Sequence, residues 1–136
     1  MSRETASYIA TVGTKIETAY EEMKKYLQQV KELPTAFFAD NDTIAIGAMR
    51  AIKEQGYDIP GDISIIGFDN VPFADVMQVP LTTIGVPVIE MGKKLGEKVV
   101  ELIDNKEKLK EREEILYTPR LLVRGSTKSI PPVTVI

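Results

Sequence analysis

The segment PTAFFADNDTIAIGAMRAIKEQGYDIPGDISIIGFD, residues 34–69, contains the clearest signals for the fold of this chain. A short apolar run leads into a polar loop of residues 40–42 (the Asp40 loop), and a helical pattern, a turn and a second apolar run follow. A second acidic loop, residues 68–70 (the Asp69 loop), comes directly after that run. In a parallel α/β sheet these loops lie side by side at the carboxyl ends of neighbouring strands, where open sheets of this kind bind ligands.

The composition indicates one soluble globular domain with few reactive groups. The chain of 136 residues is 43% hydrophobic and 27% charged, with a net charge of −3, and no cationic block is present that could neutralise a run of phosphates. It contains no His and no Cys, which excludes disulfides and thiol chemistry and removes the commonest general base and metal ligand. The N-terminus lacks the apolar core of a signal peptide and no apolar run approaches ~18 residues, so we expect a cytoplasmic protein that does not contact membranes.

Alternating strand and helix patterns predict an α/β fold, a three-layer sandwich in which a parallel sheet carries helices on both faces. The run at 36–39 is too uniformly apolar for a half-exposed strand, so it predicts a buried one. Gly56 is the expected C-terminal glycine of the helix before it. We expect a solvated charged turn at 104–114 and an irregular tail at 129–136. The predicted strands are 8–12, 36–39, 63–67, 81–84, 115–117 and 121–123, and the predicted helices are 16–30, 43–55, 71–77 and 88–103.

The carboxylates of the two loops could serve several chemical roles. A carboxylate-only hydrolase using Asp40, Asp42 and Asp69 is conceivable, although no GxSxG nucleophile motif is present. The Asp40 loop begins like a calcium loop, but Ile44 stands where an oxygen ligand is required and Ala45 where the glycine is required, so no metal is expected. The more ordinary role of Asp42 is to cap the helix that follows it, and this is the role we predict.

The two loops predict a site for a neutral, hydroxyl-rich ligand. No glycine-rich phosphate motif stands at a strand–helix turn, and the negative charge of Asp40 and Asp42 would repel a phosphate from the helix N-terminus. Carboxylates accept hydrogen bonds from hydroxyl groups, and an asparagine amide both donates and accepts. We therefore predict that Asn41 and Asp69 together read a polyol. Phe68 would lie against the apolar face of a sugar ring, and Asp40 would lie on the rim. An ordinary turn or cap role for Asp69 is an equal alternative.

Apolar residues in two segments predict a surface for self-association. The helical pattern at 43–55 is apolar nearly all round, so that one face covers the sheet and Ile46, near Met49, is left to pack against something else. The segment after the Asp69 loop adds Phe73 and Met77. Two such segments side by side would form an apolar patch suited to a homodimer. The alternative is that all four residues complete the core.

The chain resembles the LacI/GalR (lac and galactose repressor) family of bacterial transcription regulators. The resemblance rests on residues 34–70, followed by VPLTTIGVP at 79–87, MGKKLGEKVVELI at 91–103 and PRLLVRGST at 119–127, in the order and spacing of the family. It implies a periplasmic-binding-protein-like effector domain, of which residues 1–128 are an incomplete, mainly C-terminal lobe. It also implies that helix 88–103 belongs with the other lobe. No DNA-binding helix-turn-helix is present in this sequence.

The resemblance implies the same site residues as the chemistry. Asn41 and Asp69 fall where the family contacts the hydroxyls of an effector, and Phe68 falls at the aromatic position before that Asp. The matching positions for dimer packing are Ile46, Phe73 and Met77. Residues 14–17 match the loop that often lines the pocket, but only loosely.

Three functions are therefore open. The first is the effector-binding and dimerising part of a sugar-sensing regulator. Such a chain would not be an enzyme, would use no cofactor and would contact operator DNA only through its full-length parent. In that parent, ligand-driven closure of two lobes would change the orientation of the DNA-binding domains. The second is a sugar solute-binding protein of a transport system. The third is a carboxylate-based sugar enzyme, which the lack of a further acid/base group disfavours. Without a second lobe, helix 88–103 is expected to fold back on its own lobe or to pack against a second copy.

Overall fold

The computed structural model describes residues 9–105, 107 and 112–129. The four strands that these residues contain form one sheet in the order β1-β2-β3-β4, parallel from β1 to β3, with β4 antiparallel to β3. This arrangement confirms the predicted α/β class with a mainly parallel sheet. The elements in chain order are α1 (Ile16–Gln29), β1 (Ala36–Phe38), α2 (Asp42–Glu54), β2 (Ser64–Asp69), β3 (Thr82–Gly85), α3 (Val88–Asp104) and β4 (Arg120–Leu122).

The core lies between α2, α1 and one face of the sheet. α1 packs against α2, and α2 packs on β2, so that side chains such as Ile52 and Ile65 are fully buried. The two helices approach closely at Gly47, where a Cβ atom would lie 2.5 Å from the carbonyl oxygen of Ile16 and 2.8 Å from the Cβ of Ala19. The helical spacing of apolar residues in the sequence therefore reports a real core face in both helices.

The opposite face of the sheet is less covered. Side chains alternate between the faces of a strand, and Phe37 contacts Tyr26 of α1, so Phe38 lies on the far face, where it is 59% exposed. The prediction of a buried strand at 36–39 is therefore wrong. The reason is that, among the described residues, β1 lies at the edge of the sheet, without a strand on its outer side.

Three further predicted elements do not form. Tyr8 lies outside the described residues, and residues 9–12 form no strand but border a cleft of about 510 Å³ beside β1. Residues 71–77 form turns in place of a helix, because the chain turns back at Ala74, whose N–H donates to the Val71 carbonyl oxygen and whose own carbonyl oxygen accepts from the Leu81 N–H. Residues 115–117 form no strand, since β3 pairs on that side with β4.

α3 stands apart from this core, because none of its residues is buried. An ion pair of 2.6 Å joins Lys98 to Glu113. The expectation that helix 88–103 folds back on its own lobe is therefore wrong for the described residues, whereas packing against a second copy stays a prediction. The charged run at 104–114 and the tail at 129–136 lie partly outside the described residues. The exposed apolar side chains of α3 include Val88, Ile89, Leu95, Val99, Val100 and Ile103.

Candidate ligand-binding site

Asn41, and not Asp42, caps the N-terminus of α2. Asn41 has extended backbone angles (φ −152°, ψ 169°), and its Oδ1 accepts a hydrogen bond of 2.8 Å from the backbone N–H of Ile44. The helix begins one residue later, at Asp42, so the residue with the capping geometry is the asparagine. The prediction that Asp42 caps this helix is wrong. Because its oxygen is used in capping, Asn41 would contact a ligand chiefly through its amide nitrogen.

The Asp42 side chain is fully buried and joins three parts of the sheet edge. Its Oδ1 accepts from the Thr83 hydroxyl at 2.6 Å, and its Oδ2 accepts from the backbone N–H of Val71 at 2.9 Å. Gly67 of β2 makes room for this carboxyl group, because a Cβ atom at that position would collide with Asp42 Oδ1. Asp42 thus connects the start of α2 to β3 and to the segment that leaves β2.

The Asp69 loop has an unusual backbone conformation. Asp69 has φ 105° and Asn70 has φ 58°, the left-handed region in which Asn and Asp are enriched among residues other than glycine. Asn70 Oδ1 accepts a hydrogen bond of 2.7 Å from Nη2 of Arg124, whose Nη1 donates to the Leu81 carbonyl oxygen at 2.8 Å. These roles of Asn70 and Arg124 were not predicted, and their only signal in the sequence is their position in the segments that resemble the LacI/GalR family.

The fold brings the predicted ligand-binding residues to one edge of the sheet. The Asp40 loop follows β1 and the Asp69 loop ends β2, and these strands are parallel neighbours. Asp40 and Asp69 are exposed, whereas Asn41 and Phe68 are half-buried. Within the described part of the chain, neither exposed carboxylate has a hydrogen-bonding partner, so both can accept from hydroxyl groups of a ligand.

Two neighbouring segments border this edge. The Thr43 hydroxyl lies 2.9 Å from the Thr14 carbonyl oxygen, so the segment at 14–17 lies beside the Asp40 loop, as the loose family match implies. On the other side, a hollow of about 380 Å³ is lined by residues that include Asn70, Gly85 and Arg120. The hollow lies where β3 ends, and Arg120 was not singled out in the sequence. The edge is therefore bordered by the segment at 14–17 on one side and by this hollow on the other.

The four residues predicted to form a dimer surface are not equivalent. Phe73 is 44% exposed, and Ile46 and Met77 are half-buried. Met49 is only 2% exposed and belongs to the core, so its assignment to a surface is wrong. The apolar residues of α2 lie nearly all round the helix, and α1 covers a second face of it besides the one on the sheet. Val76, which was not among the residues predicted to form this surface, is 78% exposed.

Comparisons with known proteins agree with this architecture. Residues 3–127 match the periplasmic binding protein-like domain family. The arabinose metabolism transcriptional repressor of Geobacillus stearothermophilus is 42% identical over 111 residues, which are 81% of this chain and 30% of that protein. Two LacI family transcriptional regulators with bound ribose share the fold with a TM-score of 0.76. The regulator from Enterococcus faecalis V583 is 35% identical over 85% of this chain and 42% of its own, and that from Enterococcus faecium is 32% identical over 87% and 42%.

The mainly parallel sheet with polar loops at its carboxyl edge is a periplasmic-binding-protein-like fold. The chain belongs to the periplasmic binding protein-like family, and its predicted resemblance to LacI/GalR effector domains is confirmed. The chain spans about a third of the length of the curated relatives it matches, and the relative from Geobacillus is a transcriptional repressor. Within residues 9–105, 107 and 112–129, no helix has the length and apolar character needed to cross a membrane.

Proposed function

We propose that this chain supplies the effector-binding and dimerising lobe of a LacI/GalR-type transcriptional regulator, a cytoplasmic protein without enzymatic activity. Its ligand is a sugar or a similar small polyol. The observation that carries the proposal is the pairing of the Asp40 and Asp69 loops at one sheet edge, where two exposed carboxylates stand beside an asparagine amide and an aromatic ring. The bound ribose in two structural relatives supports this ligand class.

Each predicted residue has a distinct part in this proposal. Asp69 and Asp40 accept hydrogen bonds from ligand hydroxyls, and such bonds to a charged acceptor are the strong ones. Asn41 donates through its amide nitrogen, because its oxygen caps α2. Phe68 presents an aromatic surface to the apolar face of a sugar ring. A regulator is favoured over a transport protein because the named relatives are transcription factors.

A sugar titration followed by NMR tests this proposal, because amide shifts detect weak binding. D-ribose is the first probe, in a panel that also contains D-glucose and L-arabinose. We expect at least one sugar to shift the amide signals of the Asp40 and Asp69 loops. Asp69→Asn should weaken that binding about tenfold, since it removes the charge from an acceptor. The matched control is Asp62→Asn, because Asp62 lies at the opposite end of β2. Equal binding by the wild type and D69N would contradict the assigned role of Asp69.

The dimer is a second part of the proposal. Phe73 is the most exposed of the predicted interface residues, with Ile46 and Met77 half-buried beside the core. Size-exclusion chromatography with light scattering should find a dimer that Phe73→Ser converts to a monomer. Leu95→Ser changes an exposed apolar residue of α3 and should leave the dimer intact. A wild-type chain that is monomeric at low concentration would contradict dimerisation. If L95S were monomeric and F73S remained a dimer, the interface would lie on α3 and not at Phe73.

The position of α3 in the regulator is a third part. We propose that α3 packs on a second lobe, to which the resemblance assigns residues 88–103. Its apolar side chains are exposed here, and no residue of α3 is buried. Hydrogen exchange should therefore be much faster for α3 amides than for α2 amides in this chain. Equal protection of the two helices would contradict the proposal.

A further inference from the structure

The strongest unexplained feature beside the site is a buried acid, Asp42. Its side chain is fully buried, and acidic residues are almost never fully buried unless they have partners. Helix formation does not explain the burial, since Asn41 already caps α2 and an acid favoured by the helix dipole can remain in solvent. The two partners of Asp42 lie on other elements, 29 and 41 residues away in the chain. The buried carboxyl group of Asp42 therefore acts on other elements and not on its own helix.

Both partners of Asp42 act on the Asp69 loop. The Val71 N–H, which donates to Asp42 Oδ2, belongs to the residue directly after that loop. The Thr83 hydroxyl donates to Asp42 Oδ1, and its oxygen lies 3.4 Å from the backbone nitrogen of Asn70, from which it accepts. Asp42 thus fixes the residue after the loop directly, through Val71, and the last residue of the loop, Asn70, through Thr83.

The backbone of the Asp69 loop needs such support. Asp69 and Asn70 both have positive φ values, 105° and 58°, and residues in such conformations persist only where the surrounding structure holds them. The direction of the Asp69 side chain depends on this backbone, because a return of φ to negative values would rotate the Cα–Cβ bond away. The carboxylate proposed to contact the ligand is therefore placed by bonds that it does not make itself.

We propose that Asp42 is a positioning residue, whose buried carboxyl group holds the Asp69 loop in its left-handed conformation through Val71 and Thr83 and so aims Asp69 at the ligand. Gly67 is part of the same device, since a side chain at that position would displace the Asp42 carboxyl group. The link between the two loops also means that the Asp40 loop cannot shift without disturbing the Asp69 loop. The statement about the ligand rests on the proposed function, whereas the statement about the loop conformation does not.

Backbone NMR on the 136-residue chain tests the loop conformation without any ligand. A strong NOE between the amide proton and Hα of one residue reports positive φ, and we expect it at Asp69 and Asn70. Asp42→Ala and Thr83→Val should abolish it, because each breaks the connection to the loop. Asp42→Asn should retain it, since the Asn oxygen can accept from Val71 and its amide can donate to the Thr83 oxygen. Thr83→Ser should also retain it, because the hydroxyl remains.

A matched control separates positioning from general stability. Ser126 is also fully buried, and its hydroxyl bonds the Ile65 carbonyl oxygen and the Thr82 N–H at the other end of the same strands. Ser126→Ala should lower the melting temperature as Thr83→Val does but keep the NOE at Asp69 and Asn70. If T83V stays folded with both residues at positive φ, the proposal is overturned and Asp42 only stabilises the fold. T83V decides the question even where D42A fails to fold.

A D-ribose titration then tests the consequence for binding. T83V should weaken D-ribose binding about tenfold, like the loss of one charge-assisted hydrogen bond, whereas T83S and S126A should bind as the wild type does. Unchanged binding by a T83V protein that has lost the positive φ values would overturn the claim that the conformation aims Asp69. A wild type that binds no sugar would contradict the proposed function and leave the NMR result on the loop intact.

Discussion

α2 and α3 are helices of 13 and 17 residues that both carry many apolar side chains, yet their surroundings differ completely. Eight residues of α2 are buried, between α1 and the sheet, whereas no residue of α3 is buried. Their N-termini differ as well, because Asn41 caps α2 with its side chain and Pro87 makes no side-chain cap for α3. The apolar residues of each helix predict that it packs against a partner, but they do not say where that partner lies.

The largest expected contrast comes from truncating one apolar side chain in each helix. Ile52 of α2 is fully buried, and Leu95 of α3 is 66% exposed. Ile52→Ala should lower the free energy of unfolding by about 3 kcal/mol, because it leaves a cavity in the core. Leu95→Ala should change it by less than about 0.5 kcal/mol. Urea denaturation followed by circular dichroism measures both, and equal losses would mean that α3 is packed in solution.

Glycine-to-alanine substitutions should have opposite signs in the two helices. Gly47→Ala in α2 should destabilise the protein by about 2 kcal/mol, because the added methyl group meets the Ile16 carbonyl oxygen and forces α1 away. Apart from its chain neighbours and the backbone of its own helix, Gly96 of α3 has no heavy atom within 4 Å of the position of an added Cβ. Gly96→Ala should therefore stabilise α3 by about 1 kcal/mol through helix propensity alone.

The measurement for this pair is urea denaturation for G47A and amide hydrogen exchange in α3 for G96A. Slower exchange in α3 of G96A, with unchanged exchange in α2, is the expected result. A destabilised G96A would show that another part of the chain, or a second copy, already occupies the space beside α3. That outcome would remove the contrast between the two helices.

The sequence predicted the spans of the helices better than it predicted what each element packs against. The spans of α1, α2 and α3 follow from local signals, namely apolar spacing, the break at Pro34 and Gly56 after α2, whose φ of 88° suits glycine. These signals act over a few residues. They also sufficed for β2 and β3, where turn residues bound short apolar runs. The edge position of β1 was not predictable in the same way, because exposure depends on which strand lies beside it.

The residues of the candidate site could be chosen from the sequence, but the hydrogen bonds that join them could not. Asn41 and Asp69 were chosen because their residue types follow neighbouring strands, and the structure brings both to one edge. The role of Asp42 was missed, because its partner Thr83 lies 41 residues away and a capping role fits the local pattern equally well. The helix predicted at 71–77 does not form for a similar reason, since the Ala74 carbonyl oxygen accepts from the N–H of Leu81, which lies outside the predicted helix.

Removing the cap of α2 should have a smaller effect than either core substitution. Asn41→Ala should lower the free energy of unfolding by about 1 kcal/mol, because the Ile44 N–H loses its acceptor. Asn41→Asp keeps an oxygen acceptor at the same position and should retain nearly all of the stability. The difference between these variants in urea denaturation measures the cap. Equal losses in N41A and N41D would show that the asparagine amide group, and not the capping oxygen, stabilises this end of α2.

The smallest contrast is between the ion pairs of the two helices. Lys24 donates a hydrogen bond of 2.5 Å to Glu54 and so joins α1 to α2. This bond, and a second one from the Tyr20 hydroxyl, hold the pKa of Glu54 below its ordinary value of 4.5. Lys98 likewise lowers the pKa of Glu113 beside α3. A lowered folded-state pKa contributes stability that is present above the unfolded pKa and is lost as the pH falls through the folded pKa.

Because α2 belongs to the core and α3 does not, the two pairs should differ in what they stabilise. Glu54→Gln should reduce the loss of melting temperature between about pH 6 and pH 3, since it removes a group whose protonation destabilises the fold. Glu113→Gln should leave that pH dependence unchanged and alter only hydrogen exchange in α3. Both effects are small, because these side chains are partly exposed and salt screens them. If E113Q changed the pH dependence of the melting temperature as much as E54Q does, α3 would have to unfold together with the core. The two helices would then differ in exposure but not in stability.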